Sequence, residues 1–194
     1  MNPSTPATPA TSSAFPSSRY HPLSVILHWV IFLLFVVALA TIEYRDDIPK
    51  GDPLRDLLRT VHMHAGQLVL ILVVLRLLAR KAFGAPPELA LPRVQRWGAT
   101  AVHLLLYAVM IGLPVTGILF TQAGGRDVVF FGMTLPVILA KDMALRGPIK
   151  EFHEFMGNAV YFLVGLHVLG ALWHQFFDRM PLLQRMSLRG PRQK

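Results

Sequence analysis

The sequence predicts an all-α fold, an integral membrane bundle of four helices with both termini in the cytoplasm. Three observations predict it. The 194 residues are 53% hydrophobic and only 15% charged, whereas soluble domains carry roughly a quarter charged residues. The apolar residues gather into four runs long enough to cross about 30 Å of hydrocarbon at about 1.5 Å per residue. Within those runs stand histidines, which are costly in lipid unless they face the bundle interior and serve a function.

Residues 1–18 are Pro, Ser, Thr and Ala with little to bury, a composition that reads as a disordered tail. The first span covers about 24–42 and carries no formal charge. Arg19, the apolar core and Ala38-Leu39-Ala40 also resemble a cleavable signal peptide, but the run is full length and cleavage would discard His28. A second span over about 61–78 ends at Arg76, Arg80 and Lys81, whose stems can snorkel to the headgroups. A third covers about 99–123, with Pro114 expected to kink it. The fourth covers about 152–177. Between the spans, 81–98 contains Pro86, Pro87 and Pro92 and cannot be one helix. The apolar connection 124–150 (VVFFGMTLPVILA at its centre) is too broken to span and is expected to form a lid over the bundle end. Together these bounds give a transmembrane domain over 19–186 and a basic tail over 187–194.

Charge fixes the orientation. The two termini and the second-to-third connection hold 11 of the Lys and Arg residues, and the other two connections hold 8 that are balanced by acidic residues. That bias places both termini in the cytoplasm. The net charge of +8 is spread between spans rather than forming a basic stripe with aromatics, so no nucleic-acid partner is expected. With no cysteine, disulfides, iron–sulfur clusters and thioether-linked haem are excluded.

His153 and His167 lie fourteen residues apart, about 40° around a helix and about 21 Å along it. Both therefore look to one side, near opposite faces of the bilayer. The up-down topology brings His28 to the depth of His167 and His62 to the depth of His153. Two imidazoles from different helices at each level suit two six-coordinate haem b groups, histidine being the nitrogen ligand where thiolate is lacking. Gly66 and Gly157 each follow a histidine by four residues on the same helix face, leaving room for a flat macrocycle.

The bland alternative for any one histidine is a hydrogen bond across helices; four at matched depths weigh against it. His64 points about 200° away from His62. It is either the ligand in place of His62 or a haem-edge or loop contact. His103 has no matched partner and is assigned a hydrogen-bonding role, with Tyr107 one turn on. His174 is a candidate contact for a haem propionate or quinone, or an interface marker beside Trp173. His21 is expected at the interface. Apart from Glu154 near the start of the fourth, the spans lack Asp and Glu, which argues against a proton-pumping or acidic metal-transport path.

The segments RYHPLSVILHW, VHMHAG with VLRLLAR, HLLLYAVMIGLPVTGILF, FFGMTLP and FHEFMGNAVYFLVGLHVLGALWHQFFDR together resemble the bacterial cytochrome b561 family over 19–186. The resemblance implies a dihaem protein of the bacterial inner membrane, with His28 and His167 binding the cytoplasmic-side haem b and His62 and His153 the outer one. The family pattern of histidine with glycine four later favours His62 over His64. The His174-Gln175 pair departs from the His-His of many relatives. The implied activity is electron transfer between an outer donor, superoxide in close relatives, and ubiquinone. Lys141, Arg146 and Lys150 are either a field that would draw such an anion or ordinary solvated loop charges. The competing functions are a haem-bearing anchor for a redox partner protein, a dehydrogenase, hydrogenase or reductase, and a histidine-lined metal transporter.

Overall fold

A computed structural model describes residues 19–88 and 91–188. The tail expected over 1–18 and most of the basic tail over 187–194 lie outside the described residues. Four long helices, α1 (Pro22–Asp46), α2 (Pro53–Phe83), α3 (Arg93–Ala123) and α4 (Met143–Phe176), are followed by a single turn, α5 (Leu182–Arg185). A two-residue-stranded hairpin, β1 (Val129–Phe130) and β2 (Met133–Thr134), lies between α3 and α4. All four long helices have the length and composition to cross a membrane. Most of their large apolar side chains point outward, as with Leu33, Phe162 and Leu169, which is how a lipid-solvated bundle differs from a soluble one.

α1, α2 and α4 outrun their uncharged cores because a side chain caps the start of each. Pro22 occupies the first turn of α1 behind His21, whose Nδ1 accepts the Leu23 amide at 3.3 Å. The ring of His21 also stacks on Phe83 at 3.8 Å. Asp52 accepts the Leu54 amide at 2.8 Å and starts α2 well before residue 61. The expected start of α4 near 152 is corrected to Met143. Asp142 accepts the amides of Ala144 and Leu145 at 2.9 and 3.1 Å, a cap that outweighs Gly147 and the carbonyl partner lost at Pro148. The connection to α4 is correspondingly shorter than 124–150. α3 continues through the buried Pro114.

Close backbone packing joins α1 to α2, α3 to α4 and, less extensively, α2 to α3. α4 meets α1 and α2 mainly through side chains. At mid-depth, Val109, Val160 and Leu163 are buried with Phe35 and Leu39 of α1, beside a second cluster of Ile31, Val69 and Val73 with Tyr107 and Met110. The end holding residues 19 and 188 and the α2–α3 connection, here called the inner end, is tied together by three bonds. Trp29 donates to the Met186 carbonyl at 3.0 Å, the Tyr20 amide to the Arg185 carbonyl at 3.3 Å, and Arg185 to the Pro87 carbonyl at 2.9 Å.

The hairpin caps the opposite, outer end. Phe131 (φ 46°) and Gly132 (φ 87°) form its turn, both in the left-handed region that a tight two-residue hairpin requires. His64 accepts the Phe131 amide at 3.1 Å. Gln122, itself buried, donates to the Pro136 carbonyl at 2.8 Å and accepts the amides of Ile138 and Leu139 at 3.0 and 3.3 Å.

Candidate functional site

The four histidines expected to act in pairs do meet in pairs. His28 of α1 and His167 of α4 have ring centres 6.3 Å apart near the inner end. His62 of α2 and His153 of α4 have ring centres 6.3 Å apart near the outer end. Both pairs bridge α4 to the α1–α2 pair, across the interface where backbones do not pack closely. The apolar layer of Phe35, Leu39, Val109 and Val160 separates the two levels.

The spacing can be tested against a metal. With metal–imidazole bonds of about 2 Å and the ring centre about 1.2 Å beyond the nitrogen, two imidazoles trans on one iron have centres roughly 6 Å apart. Both pairs meet that requirement. Among the described residues no group of three or more His, Asp or Glu could hold an ion. A two-histidine site therefore suits a group that brings its own equatorial donors, as a porphyrin does.

The outer pair also has the supporting contacts an axial ligand uses. His62 donates from Nδ1 to the Ala38 carbonyl at 2.8 Å, and His153 from Nδ1 to the Leu113 carbonyl at 2.9 Å. Such bonds fix the ring and leave Nε2 available to a metal. Thr116 Oγ1 lies 3.1 Å from the same His153 nitrogen and donates to the Gly112 carbonyl at 2.7 Å. The ring lies against α3 at Gly117, where a Cβ would stand in ordinary contact 3.4 Å from its Cε1. Of the two glycines expected to leave space, Gly157 has nothing within 4 Å of where a Cβ would stand, and Gly66 has only Pro114 Cβ at 4.0 Å.

The inner pair is built differently. Arg76 Nη1 lies 2.9 Å from His28 Nδ1. Arg80 donates to the Tyr107 hydroxyl at 3.2 Å and sits over the Tyr20 ring. These two arginines turn inward, which corrects the reading of both as headgroup anchors. Tyr107 is thus a partner of Arg80, and the expectation that His103 has no matched partner is corrected: it packs edge-on against His167 with centres 5.3 Å apart, at the level of the inner pair.

Two further histidines are engaged elsewhere. His64 donates from Nδ1 to the Thr60 carbonyl at 2.7 Å and accepts the Phe131 amide at Nε2. With both nitrogens used and its ring beside Phe130 and Phe131, it makes a loop contact. His174 Nδ1 meets Asp178 Oδ2 at 2.6 Å, beside the stacked Trp173 and Phe177.

At the outer end Lys141 and Arg146 lie across the turn that closes α3. A Cβ on Gly125 would stand 2.9 Å from Lys141 Cδ, and one on Gly124 3.0 Å from Arg146 Nε. Lys150 is paired with Glu154. Sequence reasoning missed Thr116, Gly117 and the carbonyls of Ala38 and Leu113. The small pair Thr116-Gly117 within an apolar helix was the one available signal; a backbone carbonyl leaves none.

Comparisons with known proteins agree with this architecture. The family described as prokaryotic cytochrome b561 matches residues 19–188. The chain is 29% identical over 178 residues to "Cytochrome b561 homolog 1" of Escherichia coli (strain K12), covering 91% of this chain and 99% of that protein. It is 29% identical over 169 residues to "Probable superoxide oxidase CybB" of Yersinia pestis, covering 87% and 95%. To "Cytochrome b561 homolog 2" of Escherichia coli (strain K12) it is 29% identical over 178 residues, covering 87% and 90%.

Proposed function

Because this chain belongs to the prokaryotic cytochrome b561 family of membrane electron-transfer proteins, we propose that it is a dihaem superoxide:ubiquinone oxidoreductase of the bacterial inner membrane. One haem b is held by His62 and His153 and the other by His28 and His167. The observation that carries this reading is the pair of equal 6.3 Å ring separations at two depths on α4. The superoxide donor is supported by the name of the Yersinia relative and by the cations at the outer end.

Haem b, when bound, supplies a one-electron centre at each level. The chain's own residues do the rest. Lys141 and Arg146 make the outer mouth attractive to a small anion. The carbonyls of Ala38 and Leu113 hold the outer imidazoles in one tautomer. The apolar layer keeps water from the space between the levels, and the hairpin covers the outer end. Overall, two superoxide anions give two O₂ and two electrons, and ubiquinone takes up those electrons with two protons to form ubiquinol. The bias of Lys and Arg toward the inner end supports both termini lying in the cytoplasm, with the donor met on the outer side.

The test is superoxide-dependent reduction of ubiquinone by the purified chain in proteoliposomes. The parent is expected to turn over without any partner protein, and His28→Ala and His62→Ala each to lose at least tenfold. No quinone reduction by the parent would contradict the proposal and leave the anchor function for a redox partner.

A further inference from the structure

At the inner level a group that can only donate faces a candidate axial ligand. Arg76 Nη1 lies 2.9 Å from His28 Nδ1, and a guanidinium has five N–H donors and no acceptor. His28 Nδ1 is therefore the acceptor, and the one proton of the neutral ring stands on Nε2. An imidazole that gives Nε2 to a metal keeps its proton on Nδ1 instead, the arrangement that the carbonyls of Ala38 and Leu113 provide for His62 and His153. For a neutral His28, ligation through Nε2 and the bond from Arg76 exclude each other. Arg76 then needs another acceptor.

The described residues of the inner end do not supply one. The groups acting on Arg76 are Tyr107, Arg80 and Tyr20, none of them a carboxylate, and its Nε is buried without a hydrogen-bond partner. The two acidic residues described at this end are engaged elsewhere, Glu88 with Arg96 at 3.9 Å and Asp178 with His174 at 2.6 Å. Arg76 lies within electrostatic reach of His103 and His167 as well as His28, so it stands among the imidazoles of that level. Ser24, one turn before His28 on the same face of α1, is also buried with its hydroxyl unpartnered. A guanidinium taken out of water is strongly destabilising unless an anion and acceptors meet it. Beside the inner imidazoles the chain thus presents unpaired donors and a cation without an acid.

Haem b carries two propionate carboxylates in addition to its iron. Resting on the dihaem reading, we propose that Arg76 anchors a propionate of the inner haem, its guanidinium exchanging His28 Nδ1 for a haem carboxylate. The exchange meets the buried cation with an anion whose planar oxygens match the guanidinium fork. It also frees His28 to carry its proton on Nδ1. Arg76 is on this account a cofactor-binding residue, and its bond to His28 is the alternative to that role.

The experiment is a redox-difference infrared spectrum of the purified haem-loaded protein, with the haem propionates isotopically labelled at their carboxyl carbons and haem counted per polypeptide. The proteins compared are the parent, Arg76→Gln, Arg76→Lys and Arg96→Gln, the inner haem being the one that His28→Ala removes. Its labelled carboxylate bands should shift in Arg76→Gln and in Arg76→Lys, which changes the donor and keeps the charge, and stay in place in Arg96→Gln. Transfer of the inner haem to excess apomyoglobin should quicken roughly tenfold or more in Arg76→Gln, as expected for loss of a charge-assisted bond, and less in Arg76→Lys. Bands that stay in place in Arg76→Gln overturn the anchor whatever the transfer rate, since faster loss alone is what a merely structural role would give. Shifted bands with unchanged transfer overturn it too, as do bands that move equally in Arg96→Gln. If Arg76→Gln retains no inner haem, Arg76→Lys decides alone: an inner haem with shifted bands upholds the anchor, and unshifted bands or no inner haem overturn it. Fewer than two haems in the parent would instead overturn the dihaem reading, and this inference with it.

Discussion

Glycine and histidine do the work at the scale of single residues. An imidazole in lipid is tolerable when each nitrogen has a partner. At His62 and His153 one nitrogen is satisfied by a carbonyl, and the two ring centres stand 6.3 Å apart. The opening beside Gly157, where a Cβ would touch nothing, has a direct consequence. Gly157→Phe should fill the space of the outer macrocycle and remove one of two haems while helical content, measured by far-UV circular dichroism, stays near that of the parent. Two haems retained in that variant would show that the opening is not the haem's. The four histidines and both glycines were legible in the sequence because helical periodicity converts spacing into face and depth. Arg76 was not. A cation near a predicted helix end looks like an anchor whether it turns out to the headgroups or in toward His28.

At the scale of elements, the outer hairpin shows how a loop that cannot span is tied down. Its strands are two residues long, too short to be stable by themselves, so side chains from α2 and α3 hold it. Gln122 alone makes three bonds to the following strap. Gln122→Ala should therefore cost about 1–3 kcal/mol locally through the donors and acceptors it orphans. Amide hydrogen exchange at Ile138 and Leu139 should speed up by at least tenfold, with exchange in the helix cores unchanged. Unaltered exchange at those two amides would contradict the latch. That the segment would fold over the bundle end was readable from its length and proline content. The latch was not, because it depends on which side chains α2 and α3 present at their outer turns. Helix ends were underestimated for a related reason: hydropathy marks the lipid-buried core, whereas caps such as Asp52 and Asp142 set where the helix begins.

At the scale of the whole molecule, the bundle is a frame that holds two imidazole pairs at two depths with an apolar layer between them. α1 packs on α2 and α3 on α4, and the pairs face each other through histidines at either end and through Phe35, Leu39 and Val160 in the middle. The up-down course of the chain made the depth matching calculable from sequence alone. What sequence could not supply was the asymmetry between the two levels, which rests on rotamers and carbonyl directions. The most direct test of the account is the haem content of the purified protein, by reduced-minus-oxidised spectrum and haem per polypeptide, in the parent and in His28→Ala and His62→Ala. Two haems b in the parent, with each substitution abolishing or altering a different one, is the predicted result; no haem, or a single haem indifferent to both substitutions, would contradict it.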